Sequence, residues 1–450
     1  MLHLTFPNTH QAERSWICQV LMGEFLGVEY RYSFANLPDI RITSGGKTLH
    51  LPDVFFPGRA LDGNRGEWDI AEDGLDARLS STRIPVLFGR GDFSIEDSSG
   101  RLSLDVFGSA FFMLARCEEL TCRERDRHDR FPVTSSLASR LHFIHRPLVD
   151  EYVEILWAVM KRLWPELTRK HYLSRNLISC DVDLPFDPAC ASAIRMTRRL
   201  LGNIVRRRPV GTLVSTLANY IAVKHGDKLR DPYWYALFWM MDVNERAGNQ
   251  VTFNFIPEAT DRAMDNAPSL DHPRLRDLLR RIHDRGHLIG LHPGYNTYRH
   301  PASFTSSVSM LKRVMDEEGI EQDTLGGRQH YLRWDPRVTA RLWESNKMSY
   351  DSTLSYATTA GFRCGTCREY TMFDPAERRP MRLRQRPLIV MENAVIDDCN
   401  MGLGHGDAAL ATMQNLKNLC RYFRGDFTLL WHNSSFESAA HQEMYCEMIK

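Results

Sequence analysis

The sequence predicts an α/β protein in two parts, a smaller α+β part followed by a larger part built on a parallel sheet or barrel. From about residue 170, short apolar runs alternate with helical segments, which is the pattern of parallel strands joined by helices. Three of these runs end in chemically active side chains, at Asp181, His292 and His432. The chain of 450 residues is long enough for more than one domain.

The first part combines short β-like runs with two helices. Residues 28–34 and 84–89 are predicted strands, and turn signals stand at Gly45 and Gly46. Apolar residues recur at helical spacing over 106–120 and again over 148–163. We therefore predict an N-terminal α+β domain over residues 1–165, with no role that the sequence indicates.

The second part, residues 171–450, is predicted to alternate strands and helices. The apolar runs that predict strands cover residues 177–180, 250–257, 287–291, 328–332, 388–391 and 428–431. The segments with helical spacing cover residues 274–285, 306–318 and 336–346. Because the carboxyl ends of parallel strands meet at one rim, polar residues at these ends are expected to lie together.

Composition excludes some classes of protein. Lys and Arg number 57 against 56 Asp and Glu, a formal charge of +1, which gives no reason to expect a nucleic-acid partner. The N-terminus lacks a leader pattern and no apolar run has membrane-spanning length, so we expect no stable membrane insertion. Of the ten cysteines, only Cys364 and Cys367 form a CxxC pair. Reduced, mostly buried thiols and a cytoplasmic location are the expectation.

One segment, from Arg195 to Arg208, is basic and amphipathic. Such a helix is able to lie on an anionic membrane surface or to contact an acidic or lipid-linked glycan. The alternative is a solvated helix face on an insertion. A peripheral contact through this segment is thus one of two open readings.

The pair Asp181 and Asp183 is the first chemical signal. Residues two apart in an extended segment point to the same side, so both carboxylates are able to face one site. One is then able to bind a cation while the other acts as a base on water. His292 ends a later apolar run, and imidazole is the usual nitrogen ligand of zinc and similar metals. The competing readings are a helix cap for Asp183 and a turn histidine for His292.

Other candidates lie in the polar segments that follow. Arg328 is able to orient a carboxylate, His330 is a candidate metal ligand, and His432 is a candidate proton donor. A surface loop and a structural histidine are the respective alternatives. We predict substrate contacts from the aromatic and basic side chains nearest these positions, namely Tyr295, Tyr331, Trp334, Arg363 and Trp431.

The ordered set of motifs resembles the polysaccharide deacetylase superfamily, with the NodB homology domain of carbohydrate esterase family 4. The motifs in chain order are DVD at 181–183, HPGY at 292–295, RQHY at 328–331, GFRCGT at 361–366 and WHNS at 431–434. The resemblance covers roughly residues 171 to 440. It is nearest to a bacterial branch in which an extra N-terminal domain precedes the catalytic one.

The resemblance implies a distorted (β/α) barrel of about seven strands and a divalent metal, often zinc. In its terms Asp181 matches the catalytic base and Asp183 a metal ligand, although the family usually has the two adjacent. His292 matches the first metal-binding His, Arg328 the arginine that positions the base, and His432 the general acid.

One position departs from the pattern. The second motif normally offers another His four residues on, and this chain has Asn296 there. The third protein ligand is therefore open between His330, Asn296 and His300. His330 is preferred because the end of its strand is expected beside the strand that ends in His292. Water is the remaining alternative, and it would weaken metal binding.

The leading hypothesis is a metal-dependent hydrolase that removes acetyl groups from an N- or O-acetylated sugar or polysaccharide, with a metal-bound water as nucleophile. The alternatives are a hydrolase of another small amide and a non-catalytic carbohydrate-binding protein. The presence of both Asp181 and His432 argues against the last, since a binding module needs neither a base nor an acid. The sugar and the position of its acetyl group are not encoded in any motif.

Overall fold

The computed structural model describes residues 1–58, 66–205, 210–436 and 438–450. Its strands, in chain order, are β1 Leu2–Pro7, β2 Tyr30–Ala35, β3 Asp39–Ser44, β4 Lys47–Pro52, β5 Glu67–Asp69, β6 Arg83–Pro85, β7 Gly89–Ile95, β8 Ser99–Leu104, β9 Asn176–Val182, β10 Val251–Phe255, β11 Leu288–Leu291, β12 Gly326–Gly327, β13 Tyr350–Asp351, β14 Tyr370–Asp374, β15 Arg379–Gln385, β16 Val390–Met391 and β17 Phe427–Leu430.

The α-helices of these residues are α1 Gln11–Cys18, α2 Val106–Leu114, α3 Cys117–Thr121, α4 Leu137–Arg140, α5 Leu148–Leu163, α6 Pro188–Ala191, α7 Ala193–Val205, α8 Val210–Lys224, α9 Pro232–Ala247, α10 Pro273–Asp284, α11 Pro301–Glu317, α12 Thr339–Ser345, α13 Glu392–Ile396, α14 Asp407–Tyr422 and α15 Ala439–Ile449. A π-helical stretch, Gln19–Phe25, continues α1. None of the helices in the described ranges is both long and apolar enough to cross a membrane.

The contacts divide the chain into two compact units. The first contains Met1–Arg175, Trp334–Ile389 and Asn415–Phe427, and the second contains Asn176–Arg333, Val390–Gln414 and Thr428–Lys450. The predicted division into domains 1–165 and 171–450 stays a prediction. Residues 334–389, which belong to the second part of the predicted division, pack with the N-terminal residues in the first unit.

The first unit contains a six-stranded mixed sheet in the order β2-β1-β3-β4-β8-β7. Helix α5 has acidic residues in its first turn and basic residues in its last, which suits the helix dipole. Two hydrogen bonds join distant segments of the unit: Trp16 Nε1 donates to the carbonyl of Thr371, and the Tyr370 hydroxyl donates to the carbonyl of Leu114, each at 2.9 Å.

The second unit is an α/β arrangement whose strands lie in the order β12-β11-β10-β9-β17-β16. The pairs β9–β10, β10–β11, β11–β12 and β16–β17 are parallel. Val182 pairs with Phe255, Phe255 with Leu291, and Leu291 with Gly327. The next residues along three of these strands are Asp183, His292 and Arg328, so register alone brings three of the predicted side chains to one edge.

The α/β class and the parallel strands are confirmed, and the closed (β/α) barrel stays a prediction. One predicted strand is wrong: residues 328–332 do not extend β12 but turn, with a 3₁₀ segment at His330–Leu332. Its polar composition favoured a turn over a buried strand. In the predicted basic segment, residues up to Val205 form α7, and residues 206–209, which include Arg206 to Arg208, lie outside the described residues.

Candidate metal and catalytic site

Three side chains of the second unit form a group able to hold a metal ion. Asp183, His292 and His330 each offer one ligand atom, and these atoms lie within 4.8 Å of one another. His292 Nε2 is 3.1 Å and His330 Nε2 is 3.5 Å from Asp183 Oδ1. That carboxylate oxygen is buried and accepts no hydrogen bond. A buried, unsatisfied carboxylate oxygen facing two imidazole nitrogens is the donor set of a transition-metal site, and zinc suits it.

Hydrogen bonds fix the orientation of both imidazoles. His292 Nδ1 lies 2.6 Å from the carbonyl of Arg328, and a carbonyl only accepts, so the proton is on Nδ1. His330 Nδ1 lies 2.6 Å from Asp265 Oδ1. In each ring the Nε2 atom is thereby turned toward Asp183. A carboxylate or carbonyl behind a metal-binding histidine is the common way in which proteins orient such ligands.

Asp181 lies beside this group with one oxygen held and the other facing the ligands. Its Oδ1 accepts hydrogen bonds from Arg328 at 2.8 Å and from Asn254 Nδ2 at 2.7 Å. Its Oδ2 lies 3.8 Å from His292 Nε2. The guanidinium of Arg328 also donates to Ser179 Oγ at 3.1 Å, so that its plane is fixed behind the carboxylate.

His432 approaches the same group from the end of β17. Its Nδ1 lies 2.6 Å from Glu392 Oε1, which also accepts from the His432 backbone N–H and from Ser435 Oγ, each at 2.8 Å. Its Nε2 is 3.7 Å from Asp183 Oδ2. The imidazole therefore presents Nε2 to the site while a buried carboxylate holds its other nitrogen, as in general acid–base catalysts.

The charges of these groups support one another. Burial disfavours the charged form of Asp183, but the nearby imidazoles of His330 and His292 hold its pKa well below the usual value. Burial also opposes ionisation of Asp181, and Arg328 and the neighbouring histidines nevertheless lower its pKa. Burial disfavours the cation of His432, but Glu392 raises its pKa to about 10. Opposite charges thus offset the cost of burying this cluster.

Two of the five predicted substrate contacts lie beside the group. The rings of Tyr295 and Tyr331 are 5.2 Å apart and perpendicular, and both side chains are partly exposed. The Tyr331 ring is 4.7 Å from that of His330. Tyr331 and Leu332 have φ of 60° and 55°, a left-handed conformation that costs energy for residues with a Cβ.

The other three predicted contacts are buried and engaged elsewhere. Trp431 is fully buried and packs on Phe436 in the second unit. In the first unit, Trp334 donates from Nε1 to Asp351 at 3.1 Å. Arg363, also in the first unit, is ion-paired with Glu119 at 2.7 Å. None of the three presents an exposed face, and we do not carry them forward as substrate contacts.

The alternatives for the third ligand are placed differently from His330. Asn296 donates from Nδ2 to the carbonyl of Thr260 at 3.2 Å and its backbone N–H to Thr260 Oγ1 at 2.9 Å, so its amide is engaged in the loop. His300 is exposed. His300 does not belong to the group of ligand atoms that His330 completes.

Sequence reasoning missed four residues that hold the site together, namely Asp265, Glu392, Asn254 and Ser179. Glu392 directly follows the apolar run 388–391, so the strand-end pattern that singled out His292 applied to it as well. Asn254 is the residue paired with Asp181 in the register of β9 and β10. Asp265 lies in the segment after β10, where no pattern in the sequence indicates it.

Comparison with known proteins gives a partial match. Residues 2–165 match the sequence model of a family of unknown function, DUF7033. None of the curated proteins compared with the chain matches it.

Solved structures give weak similarities. A structure assigned as a polysaccharide deacetylase from Mycobacterium smegmatis is 14% identical, with a TM-score of 0.40, and the match covers 62% of this chain and 84% of the other. One from Pseudomonas aeruginosa PAO1 with the same assignment is 15% identical, with a TM-score of 0.34 over 50% and 68%. Puue allantoinase is 13% identical, with a TM-score of 0.33 over 54% and 70%. These similarities are too weak to assign an activity, which depends instead on the geometry of the site.

Proposed function

We propose that the protein is a zinc-dependent hydrolase that removes acetyl groups from an N- or O-acetylated sugar or polysaccharide. The observation that carries the proposal is the convergence of Asp183, His292 and His330 on one point, with Asp181 on one side and His432 on the other. A hydrolase of this kind needs a metal site, a base and an acid within reach of one carbonyl group.

The three ligands would hold the metal, and their donor set of two imidazoles and one carboxylate fits zinc. When bound there, a divalent ion supplies Lewis acidity toward an acyl carbonyl and an attacking water. Asp265 and the Arg328 carbonyl keep the two rings in the required tautomer.

The proton transfers fall to Asp181 and His432. Asp181 takes the proton of the attacking water on Oδ2, because Arg328 and Asn254 already occupy Oδ1. His432 gives a proton from Nε2 to the leaving nitrogen or oxygen as the bond from the acyl carbon breaks, and Glu392 stabilises the imidazolium. Acetate and the free amine or alcohol are the products.

A cavity of about 580 Å³ next to Glu392 supports a hydroxyl-rich substrate over a small amide. Its lining is mostly polar and includes Asn393, Asp397, His405 and Ser435. Sugar hydroxyls are able to hydrogen-bond to these polar groups, and Tyr295 and Tyr331 offer ring faces for stacking.

Metal content and acetate release test the proposal together. Elemental analysis should find close to one zinc per chain in the native protein and much less in His292→Ala and His330→Ala. His300→Ala is the matched control, since it removes an exposed histidine outside the group, and it should retain the metal. Native zinc-loaded protein should release acetate from a panel of N- and O-acetylated oligosaccharides, and Asp181→Asn should keep its metal and lose turnover.

Two outcomes would contradict the proposal. Absence of metal after incubation with zinc would remove the hydrolase mechanism and favour carbohydrate binding. Turnover of small cyclic or linear amides in place of acetylated sugars would retain the mechanism and overturn the substrate class.

A further inference from the structure

Two helices of the second unit expose many large apolar side chains. On α7 these include Ile194, Leu201, Ile204 and Val205, which are 57–81% exposed. On α8 they are Val210, Val214, Leu217 and Ile221, which are 43–73% exposed. The two helices pack against each other. We call the eight side chains the helix-pair surface. Exposed apolar side chains in this number on two adjacent helices suggest an interaction site, because soluble domains seldom leave large apolar areas uncovered.

The spacing on α8 shows that the exposure has a direction. Val210, Val214, Leu217 and Ile221 follow one another at four, three and four positions, so they form a single stripe along the helix. The opposite side of α8, which includes Thr212, Thr216 and Asn219, is partly buried. A stripe that served the core would face inward, and this one faces outward.

The charge around the helix-pair surface is mostly positive, although Arg199 is paired with Asp187 at 3.1 Å. Within the described part of residues 193–230, the basic side chains are Arg195, Arg198, Arg199, Lys224, Lys228 and Arg230, and the acidic one is Asp227. Arg195 and Arg198 are exposed on α7 next to the apolar side chains. The chain as a whole is nearly neutral at +1, so this concentration of positive charge is local.

The combination of exposed apolar and basic side chains distinguishes between the possible binding partners of the helix-pair surface. A second copy of the chain, meeting its partner through the same face, would bring the two sets of arginines together and pay for their repulsion. An acidic soluble partner would satisfy the arginines but gives no reason for eight exposed aliphatic side chains. An anionic bilayer satisfies both, because aliphatic side chains enter the headgroup–acyl boundary while Arg and Lys contact lipid phosphates.

We propose that the helix-pair surface docks the protein onto an anionic membrane surface, with α7 and α8 lying along the interface. The docking is peripheral, since neither helix is long and apolar enough to span a bilayer. It is independent of the hydrolytic site, and a protein so docked is able to act on substrates held at the membrane.

Vesicle binding of the full chain tests this proposal. The protein is mixed with phosphatidylcholine vesicles that contain or lack phosphatidylserine, and the bound fraction is measured by flotation. We expect binding only to the anionic vesicles, with an affinity that falls as salt is raised. The triple variant Val214→Ser/Leu217→Ser/Ile221→Ser and the double variant Arg195→Glu/Arg198→Glu should each bind about tenfold more weakly or worse. Both sets of side chains are exposed, so folding should be retained.

Matched controls remove side chains of the same type elsewhere. Leu173→Ser takes away a leucine that is 90% exposed, and Arg123→Glu reverses an exposed charge, both in the first unit. Both should bind like the native protein. Absence of vesicle binding, equal binding to neutral vesicles, or a dimer that the triple variant dissolves would each overturn the proposal, the last in favour of self-association. Failure of acetate release would leave it untouched.

Discussion

Asp265 Oδ1 lies 2.6 Å from His330 Nδ1, although the two residues are 65 positions apart in the chain. The same carboxylate accepts backbone N–H groups of Thr260, Asp261 and Tyr295 through its two oxygens. The hydrogen bond from His330 helps to lower the pKa of Asp265 to about 2, against the opposing effect of burial. Asp265 thus holds the loop in place and orients the imidazole of His330, the proposed third metal ligand.

Replacement of Asp265 by Asn should weaken zinc binding by about 10–100-fold, because the neutral amide orients and polarises the His330 ring less strongly. The measurement is zinc affinity by competition with a chromogenic chelator. Asp261→Asn is the control, since Asp261 accepts N–H groups of Ala263 and Met264 in the same loop without contacting His330. Equal losses in both variants would show that the loop, and not the contact with His330, sets the affinity.

Replacement of Glu392 by Gln should lower kcat by on the order of 10²–10⁴-fold while zinc content stays unchanged. The carboxylate holds His432 through Nδ1 and stabilises its protonated form, whereas an amide lacks the charge. Ser435→Ala is the comparison, because it deletes one hydrogen bond to Glu392 and should cost less than tenfold. The prediction fails if Glu392→Gln raises KM and leaves kcat intact.

Gly290 is not one of the proposed substrate contacts, yet its replacement by Ala should reduce both stability and turnover. A Cβ at Gly290 would lie 1.9 Å from Asn254 Oδ1, and Asn254 holds Asp181. We expect a loss of about 1–3 kcal/mol in the free energy of unfolding, measured by denaturant titration, and a fall in kcat.

The double variant Gly290→Ala/Asn254→Ala separates the two effects. Its free energy of unfolding should recover, because the Gly290 Cβ no longer meets the Asn254 side chain. Its kcat should stay low, because Asp181 has lost the hydrogen bond from Asn254. Gly202→Ala is the control, since nothing lies within 4 Å of a Cβ there. Full recovery of turnover in the double variant would argue against a role for Asn254.

Glu119 should make the first unit sensitive to acid. It is buried, and it accepts hydrogen bonds from Arg116 at 2.8 Å and Arg363 at 2.7 Å. Burial favours its neutral form, but the charges of Arg363 and Arg116 outweigh this and lower its pKa to about 2. The ordinary value of 4.5 is therefore depressed on folding, which stabilises the protein above pH 4.5 and ceases to do so as pH falls toward 2.

Glu119→Gln should therefore destabilise the protein by about 3–5 kcal/mol at neutral pH. It removes the charge that faces two buried guanidinium groups at 2.7–2.8 Å and leaves Arg116 with the longer ion pair to Glu118 at 3.4 Å. The difference between native and variant stability should shrink as pH falls from 4.5 toward 2. Thermal unfolding at several pH values measures this. A difference that does not depend on pH would mean that packing, and not charge, accounts for the loss.

Much of the candidate site could be predicted because its residues follow a local pattern. Apolar runs that end in Asp181, Asp183, His292 and His432 are visible in any window of a few residues, since burial of a parallel strand requires apolar side chains along its length. The helix over 148–163 was likewise predicted from spacing and has the same bounds in the structure. The turn at 328–332 was mistaken for a strand, because its few apolar residues resemble a short one.

The sequence by itself therefore determined the α/β class and which side chains stand at the strand ends. Only the tertiary structure decided which of His330, Asn296 and His300 turns toward Asp183, and that Arg363 pairs with Glu119. Hydrogen-bond partners such as Asp265 and Glu392 depend on strand register and on the paths of loops. Both are set by packing between segments tens to hundreds of residues apart, and no local pattern encodes that packing.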